Sequence, residues 1–296
     1  MLPDQGWAHC TPNLRALSYR FELCCDDKAL GRHIEVLLSA LCDPGEKTAA
    51  ASDAPHRYTL TRAASGTLDL ARDGELVRAG QTCADAIGWL VWDVNRAAAE
   101  TSEQHLLFHA GGLEAAGRGV LVPGPSGSGK STLTAGLVRA GLAYLSDELV
   151  GFELATGLLL PYPKPITLKA GSFAALRELA PLADDFFDST NPAPREWQVP
   201  VGAHTVLRVG DPCEAAFVVV PRYDPGAATT LSPLTDTEAF FTLAVNAVNL
   251  IPHETAGTEA LGQLAAHCEC FRLSFSDLEE ACRLVVDLVG EPAAQT

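Results

Sequence analysis

The sequence of 296 residues lacks an apolar run long enough to span a bilayer, although 47% of its residues are hydrophobic. Its first ten residues, MLPDQGWAHC, lack the basic and apolar regions of a secretory signal. Basic side chains are scarce: 21 Lys and Arg stand against 37 Asp and Glu, a net charge of −16. Such a surface repels the phosphates of nucleic acid and of an anionic membrane, so neither is expected as a partner. The same excess of acid favours solubility and, in a peptide partner, basic flanks. No Cys-x-x-Cys occurs among the nine cysteines, and no nearby His pair completes a zinc set. An odd cysteine count without a secretion signal reads as reduced, mostly buried thiols in a cytoplasmic protein. What these absences leave is a globular chain of one large or two modest domains with a real core.

Against that background one segment stands out. Gly124-Pro125-Ser126-Gly127-Ser128-Gly129-Lys130-Ser131-Thr132 fits the phosphate-binding pattern G-x-x-x-x-G-K-[ST]. Residues 119–122 predict a buried strand before it and residues 133–140 a helix after it, ended by Gly141. Glycines let the loop curl so that successive N–H groups face phosphate oxygens, and the helix N-terminus adds partial positive charge. In this pattern Lys130 reaches the β- and γ-phosphates of ATP or GTP and the Ser131 hydroxyl ligates Mg²⁺.

The next apolar run, 142–145, leads directly into Ser146-Asp147-Glu148. The later run 215–220 ends in Pro221-Arg222, with no acid where a metal-positioning Asp belongs. The acids therefore follow one short helix after the phosphate loop, and a neighbouring parallel strand is expected to bring them to it. One carboxylate there can hold Mg²⁺ and the other can take a proton from an incoming hydroxyl.

Residues 109–148, HAGGLEAAGRGVLVPGPSGSGKSTLTAGLVRAGLAYLSDE, resemble the core of bacterial HPr kinase/phosphorylase and more closely the HPr-kinase-related kinases of the A type. The likeness recurs in 160–169 (LPYPKPITLK), 220–226 (VPRYDPG), 246–249 (NAVN) and 271–278 (FRLSFSDL), and covers roughly 105–290. It implies an α/β P-loop kinase core with a mixed sheet, related to phosphoenolpyruvate carboxykinase. It also implies phosphoryl transfer to a hydroxyl, with a protein or peptide serine as acceptor, and homo-oligomers. By the same resemblance His109 lies near the phosphates or the catalytic acid, Asp147 is the base, and Glu148 helps with the metal. Glu148 stands where authentic HPr kinases carry Asp, and their late signature segment is absent. HPr as acceptor and the phosphorylase direction are therefore left open by the likeness. Arg222 and Lys164 fall in matching segments and are candidates to neutralise charge on the transferred group. Two other readings stay open: a regulatory module that binds nucleotide without transfer, and a kinase of small-molecule alcohols.

Residues 1–104 read as a small α+β N-terminal unit and 105–296 as the P-loop, HPr-kinase-like catalytic domain. Strands are expected at 17–25, 58–62, 66–70 and 75–78, and helices at 34–41 and 83–99. The unit has no catalytic motif. It is expected to cover an edge of the kinase sheet, with Trp89 and Trp92 as core anchors. Proline and polar residues make 43–55 and 182–205 loops, the second a candidate lid in which Trp197 and Arg195 are placed to grip a peptide or a base. Helices are expected over most of 236–266 and over 277–289.

Overall fold

The computed structural model describes residues 6–43, 54–180, 196–202 and 205–290. The chain is a mixed α/β protein whose strands form two large sheets and a two-stranded ribbon. The first sheet contains β1 (His9–Cys10), β2 (Leu14–Ala16), β3 (Tyr19–Cys25), β4 (His56–Arg62), β5 (Leu68–Arg72) and β6 (Glu75–Gln81). Its order is β1-β3-β4-β5-β6, with β2 also paired to β3. The expected strand 17–25 is broken because Leu17 takes φ 56° in the turn between β2 and β3. Helix α1 (Lys28–Leu37) starts earlier than the apolar pattern indicates, because the Asp27 carboxylate accepts from the N–H groups of Ala29 and Leu30. Helix α2 (Cys83–Thr101) is capped by Thr82 and packs beneath this sheet.

The second sheet is built from β7 (His105–Phe108), β8 (Ala110–Ala115), β9 (Arg118–Pro123), β10 (Ala143–Ser146), β11 (Val150–Glu153), β12 (Leu158–Leu160), β15 (Cys213–Tyr223), β16 (Thr230–Pro233) and β17 (Glu269–Phe275). Between β12 and β15 the ribbon pairs β13 (Ile166–Lys169) with β14 (Glu196–Val199). Helix α3 (Lys130–Arg139) follows β9. Helices α4 (Asp236–Asn246), α5 (Leu250–His267) and α6 (Leu278–Val289) follow β15. The order β10-β8-β9-β15 is mixed: β8 runs antiparallel to both β9 and β10, whereas β15 is parallel to β9 and to β17. Among the described residues no helix is long and apolar enough to cross a membrane.

Several expectations change. No strand of the first sheet pairs with the second among the described residues, so the N-terminal unit does not extend that sheet. The two sheets meet instead through side chains, because Leu107, Leu149 and Tyr162 belong to the same apolar cluster as Phe21, Leu90 and Val94. Trp92 is 48% exposed rather than a core anchor, and Trp89 lies edge-on to it under the Arg78 guanidinium. Most of 43–55 and of 182–205 lies outside the described residues, Arg195 included. The stretch Glu196–Val199 is strand rather than loop, and Trp197 stacks on Phe173 at 3.9 Å. Nor are all thiols reduced: Cys10 and Cys24 are direct cross-strand partners and form a disulfide. Cys268 and Cys270 are buried, which pushes their thiols up to about 12 and about 11 and leaves them unreactive.

Candidate active site

The C-terminal ends of β9 and β10 and the start of β8 meet at one edge of the second sheet. The acid-bearing strand is thus not adjacent to the phosphate-loop strand, as the sequence suggests, but lies one strand further out, with β8 between. What lets the acids reach the loop is Gly111-Gly112 in β8. A Cβ on Gly111 would meet Thr134 Oγ1 of α3 at 2.1 Å, and one on Gly112 would meet Val150 at 2.9 Å. Without a side chain at Gly111, α3 sits close over β8 and its first turn reaches the end of β10, whereas Gly112 gives room to Val150 on the other face. Ser131 Oγ donates to Asp147 Oδ1 at 3.1 Å.

The loop turns on glycines in the left-handed region. Gly127 and Gly129 have φ 84° and 94°, and Gly129 is the left-handed N-cap of α3. A Cβ on Gly129 would also strike Phe275 at 2.9 Å. Lys130 is buried, and its Nζ donates to the carbonyls of Gly124 (2.6 Å) and Pro125 (3.1 Å). Burial lowers its pKa, which Asp147 and Glu148 counteract. Beside the loop lies a cavity of about 350 Å³ lined by Ser126, Gly127, Gly129, Lys130, Ser131 and Thr132. Its far wall is formed by His109, Glu148, Thr167, Lys169, Tyr223 and Phe275. Of the expected loop residues, Gly124, Pro125 and Ser128 stand behind this lining: Gly124 and Pro125 hold Lys130, and the Ser128 carbonyl accepts from the Tyr223 N–H at 3.0 Å.

The two acids differ in setting. Asp147 is fully buried beneath Ser131, and its Oδ2 has no hydrogen-bond partner among the described residues. Burial raises its pKa, against the pull of Lys164. Glu148 takes a left-handed backbone, φ 73°, and its side chain lines the cavity. Lys164 holds its pKa below the usual carboxylate value, with Nζ 3.5 Å from Oε2. The environments push the two carboxylates apart, a pattern common where one must accept a proton while its neighbour stays ionised. His109 Nδ1–H donates to the Glu148 carbonyl at 3.2 Å, and burial together with Lys130 lowers the pKa of its ring.

The structure thus brings together His109, the phosphate loop, Asp147 and Glu148. It does not bring Arg222 to them: that side chain is 67% exposed and pairs with Asp224 at 3.8 Å. Lys164 pairs with Glu148 without lining the cavity, and the cation on the cavity wall besides Lys130 is Lys169. Lys169 carried no signal in the sequence beyond its place in the matching segment 160–169. Asn95, from α2, was not visible as a site residue at all; its Nδ2 donates to Glu148 Oε2 at 3.3 Å.

The donor set suits Mg²⁺. That ion takes one or two carboxylates and leaves its other positions to phosphate and water. A Ser hydroxyl and the Glu148 carboxylate on the cavity wall are donors of that kind, and Asp147 lies fully buried behind Ser131. Among the described residues no group of three or more His, Cys, Asp and Glu is placed to hold a metal ion.

No protein-family model and no curated protein matches the chain. Among solved structures, the Hpr(Ser) kinase/phosphatase from Coxiella burnetii is similar over 62% of this chain and 93% of that one, at 14% identity and a TM-score of 0.31. The relationship is remote and structural only.

Proposed function

We propose that the protein is a nucleoside-triphosphate-dependent kinase that transfers the γ-phosphoryl group to a hydroxyl. The observation that carries this reading is the contact of Ser131 with Asp147, with Glu148 next to it on the wall of the phosphate-loop cavity. A module that only holds nucleotide would have no need of a second carboxylate beside the loop. Loop amides and Lys130 would bind the phosphates of ATP or GTP. Ser131 with Asp147 and Glu148 would hold Mg²⁺, which supplies neutralisation of the β- and γ-oxygens. Asp147, whose proton affinity burial raises, would receive the acceptor proton, and Lys169 would balance charge on the transferred group. The resemblance of residues 105–290 favours a serine of a protein or peptide as the acceptor.

The test is transfer of label from γ-labelled ATP or GTP, with Mg²⁺, into protein, peptide and metabolite fractions of a source-cell extract. Wild type is expected to label the protein or peptide fraction. Asp147→Asn should bind nucleotide normally while transfer falls by about 10²- to 10⁴-fold. Lys130→Ala should lose nucleotide use altogether, and Lys169→Ala should lower transfer by about 10²-fold with binding retained. Label confined to metabolites would make the protein a small-molecule kinase. Intact binding with no acceptor labelled would favour the regulatory module. Equal loss of binding and transfer in Asp147→Asn would count against the role given to that residue.

A further inference from the structure

Among the described residues, Glu148 is the member of the candidate site that a side chain from the first 104 positions holds. Its carboxylate meets two groups, neither of them lining the cavity and both on Oε2: Asn95 Nδ2 at 3.3 Å and Lys164 Nζ at 3.5 Å. Asn95 sits on α2, the helix beneath the first sheet. Its amide is not free to turn, because Tyr162 Oη donates to Asn95 Oδ1 at 2.6 Å. That bond directs the NH₂ group at Glu148. Tyr162 and Lys164 are each 1% exposed and belong to the segment leading into β13, so the clamp is fixed from both sides of the contact between the sheets. A left-handed backbone at a non-glycine residue, φ 73° at Glu148, costs energy that surrounding contacts must supply. Asn95 and Lys164 are such contacts.

We propose that Asn95 is a positioning residue: with Tyr162 it aims the Glu148 carboxylate into the phosphate-loop cavity, so the N-terminal unit completes the site. This rests on the kinase reading. The function of the unit is then to set the geometry of one catalytic-site carboxylate, and α2 cannot shift relative to β13 without moving Glu148. Partners acting through an oriented ligand typically change metal affinity or turnover by 10- to 100-fold when removed.

The experiment is a double-mutant cycle between Asn95→Leu and Glu148→Ala, with two readouts: turnover, and Mn²⁺ affinity in the presence of ATPγS by calorimetry. Asn95→Leu is expected to lower both by about 10- to 100-fold in the wild-type background. Nucleotide affinity without metal should be unchanged. In the Glu148→Ala background Asn95→Leu should add little, because the group it aims is gone. Tyr162→Phe, which removes one hydroxyl, should give a smaller loss in the same direction and covers the case in which Asn95→Leu fails to fold. Additive losses, or an equal fall in metal-free nucleotide affinity, would reduce Asn95 to a packing role and overturn the proposal. If the wild type transfers no phosphoryl group to any acceptor, the kinase reading fails by itself, and the Mn²⁺ cycle still decides whether Asn95 acts through Glu148.

Discussion

At the residue scale the site is a set of buried charges, and burial has consequences that can be measured without a substrate. His109 is the clearest. Its burial and the nearby Lys130 disfavour the imidazolium, so the folded chain takes up this proton at a lower pH than the unfolded chain, whose value is the ordinary 6.5. Below pH 6.5 the unfolded state therefore binds more protons, and stability falls as pH drops. The contribution of a neutral His109 is complete above that pH. His109→Gln should make the decline in urea midpoint below pH 6.5 shallower without abolishing it, since burial lowers His105 as well. An unchanged slope would mean that His109 is well solvated. Asp147 and Glu148 show the same logic within one pair: total burial raises one, and Lys164 lowers the other.

At the scale of elements, the decisive feature is the fit of α3 onto β8. Thr134 is fully buried, its hydroxyl has no partner among the described residues, and it occupies the space where a side chain on Gly111 would stand. Gly111→Ala should destabilise the protein by about 1–3 kcal/mol through overpacking. Thr134→Ala alone should be nearly neutral, because it removes an unsatisfied buried hydroxyl. Combined, the two should recover most of the loss, which chemical denaturation of the four proteins would reveal. A double variant no better than Gly111→Ala would mean that the glycine matters for the backbone of β8 and not for the approach of α3. The strand, loop and helix around Lys130 were legible in the sequence because each is a local pattern: an apolar run, glycines at left-handed positions, and a helix that begins on them. The place of β10 was not, since nothing local says that β8 inserts between it and β9.

At the scale of the molecule, two sheets with separate strand pairings share one apolar cluster, and the candidate site lies where β9 and β10 end and β8 begins, backed by α2. The first sheet carries its own covalent tie, Cys10–Cys24, across 14 positions. A loop of that length is worth about 3 kcal/mol in the unfolded chain. Cys10→Ser should lower stability by about that amount, and a strong thiol reductant should bring the wild type down to the variant. If reductant changes nothing, the pair contributes no cross-link in solution.

The sequence by itself determined the glycine-rich loop at 124–132, the acids after it and the alternation of strands and helices, because these rest on spacings of a few residues. It could not show that Asn95 meets Glu148 across 53 positions, that Lys169 rather than Arg222 faces the cavity, or that Cys10 lies opposite Cys24. Those pairings depend on which strands are neighbours and in what register. Strand order and register are chosen by the burial of whole apolar faces, an energy summed over the fold and carried by no single segment.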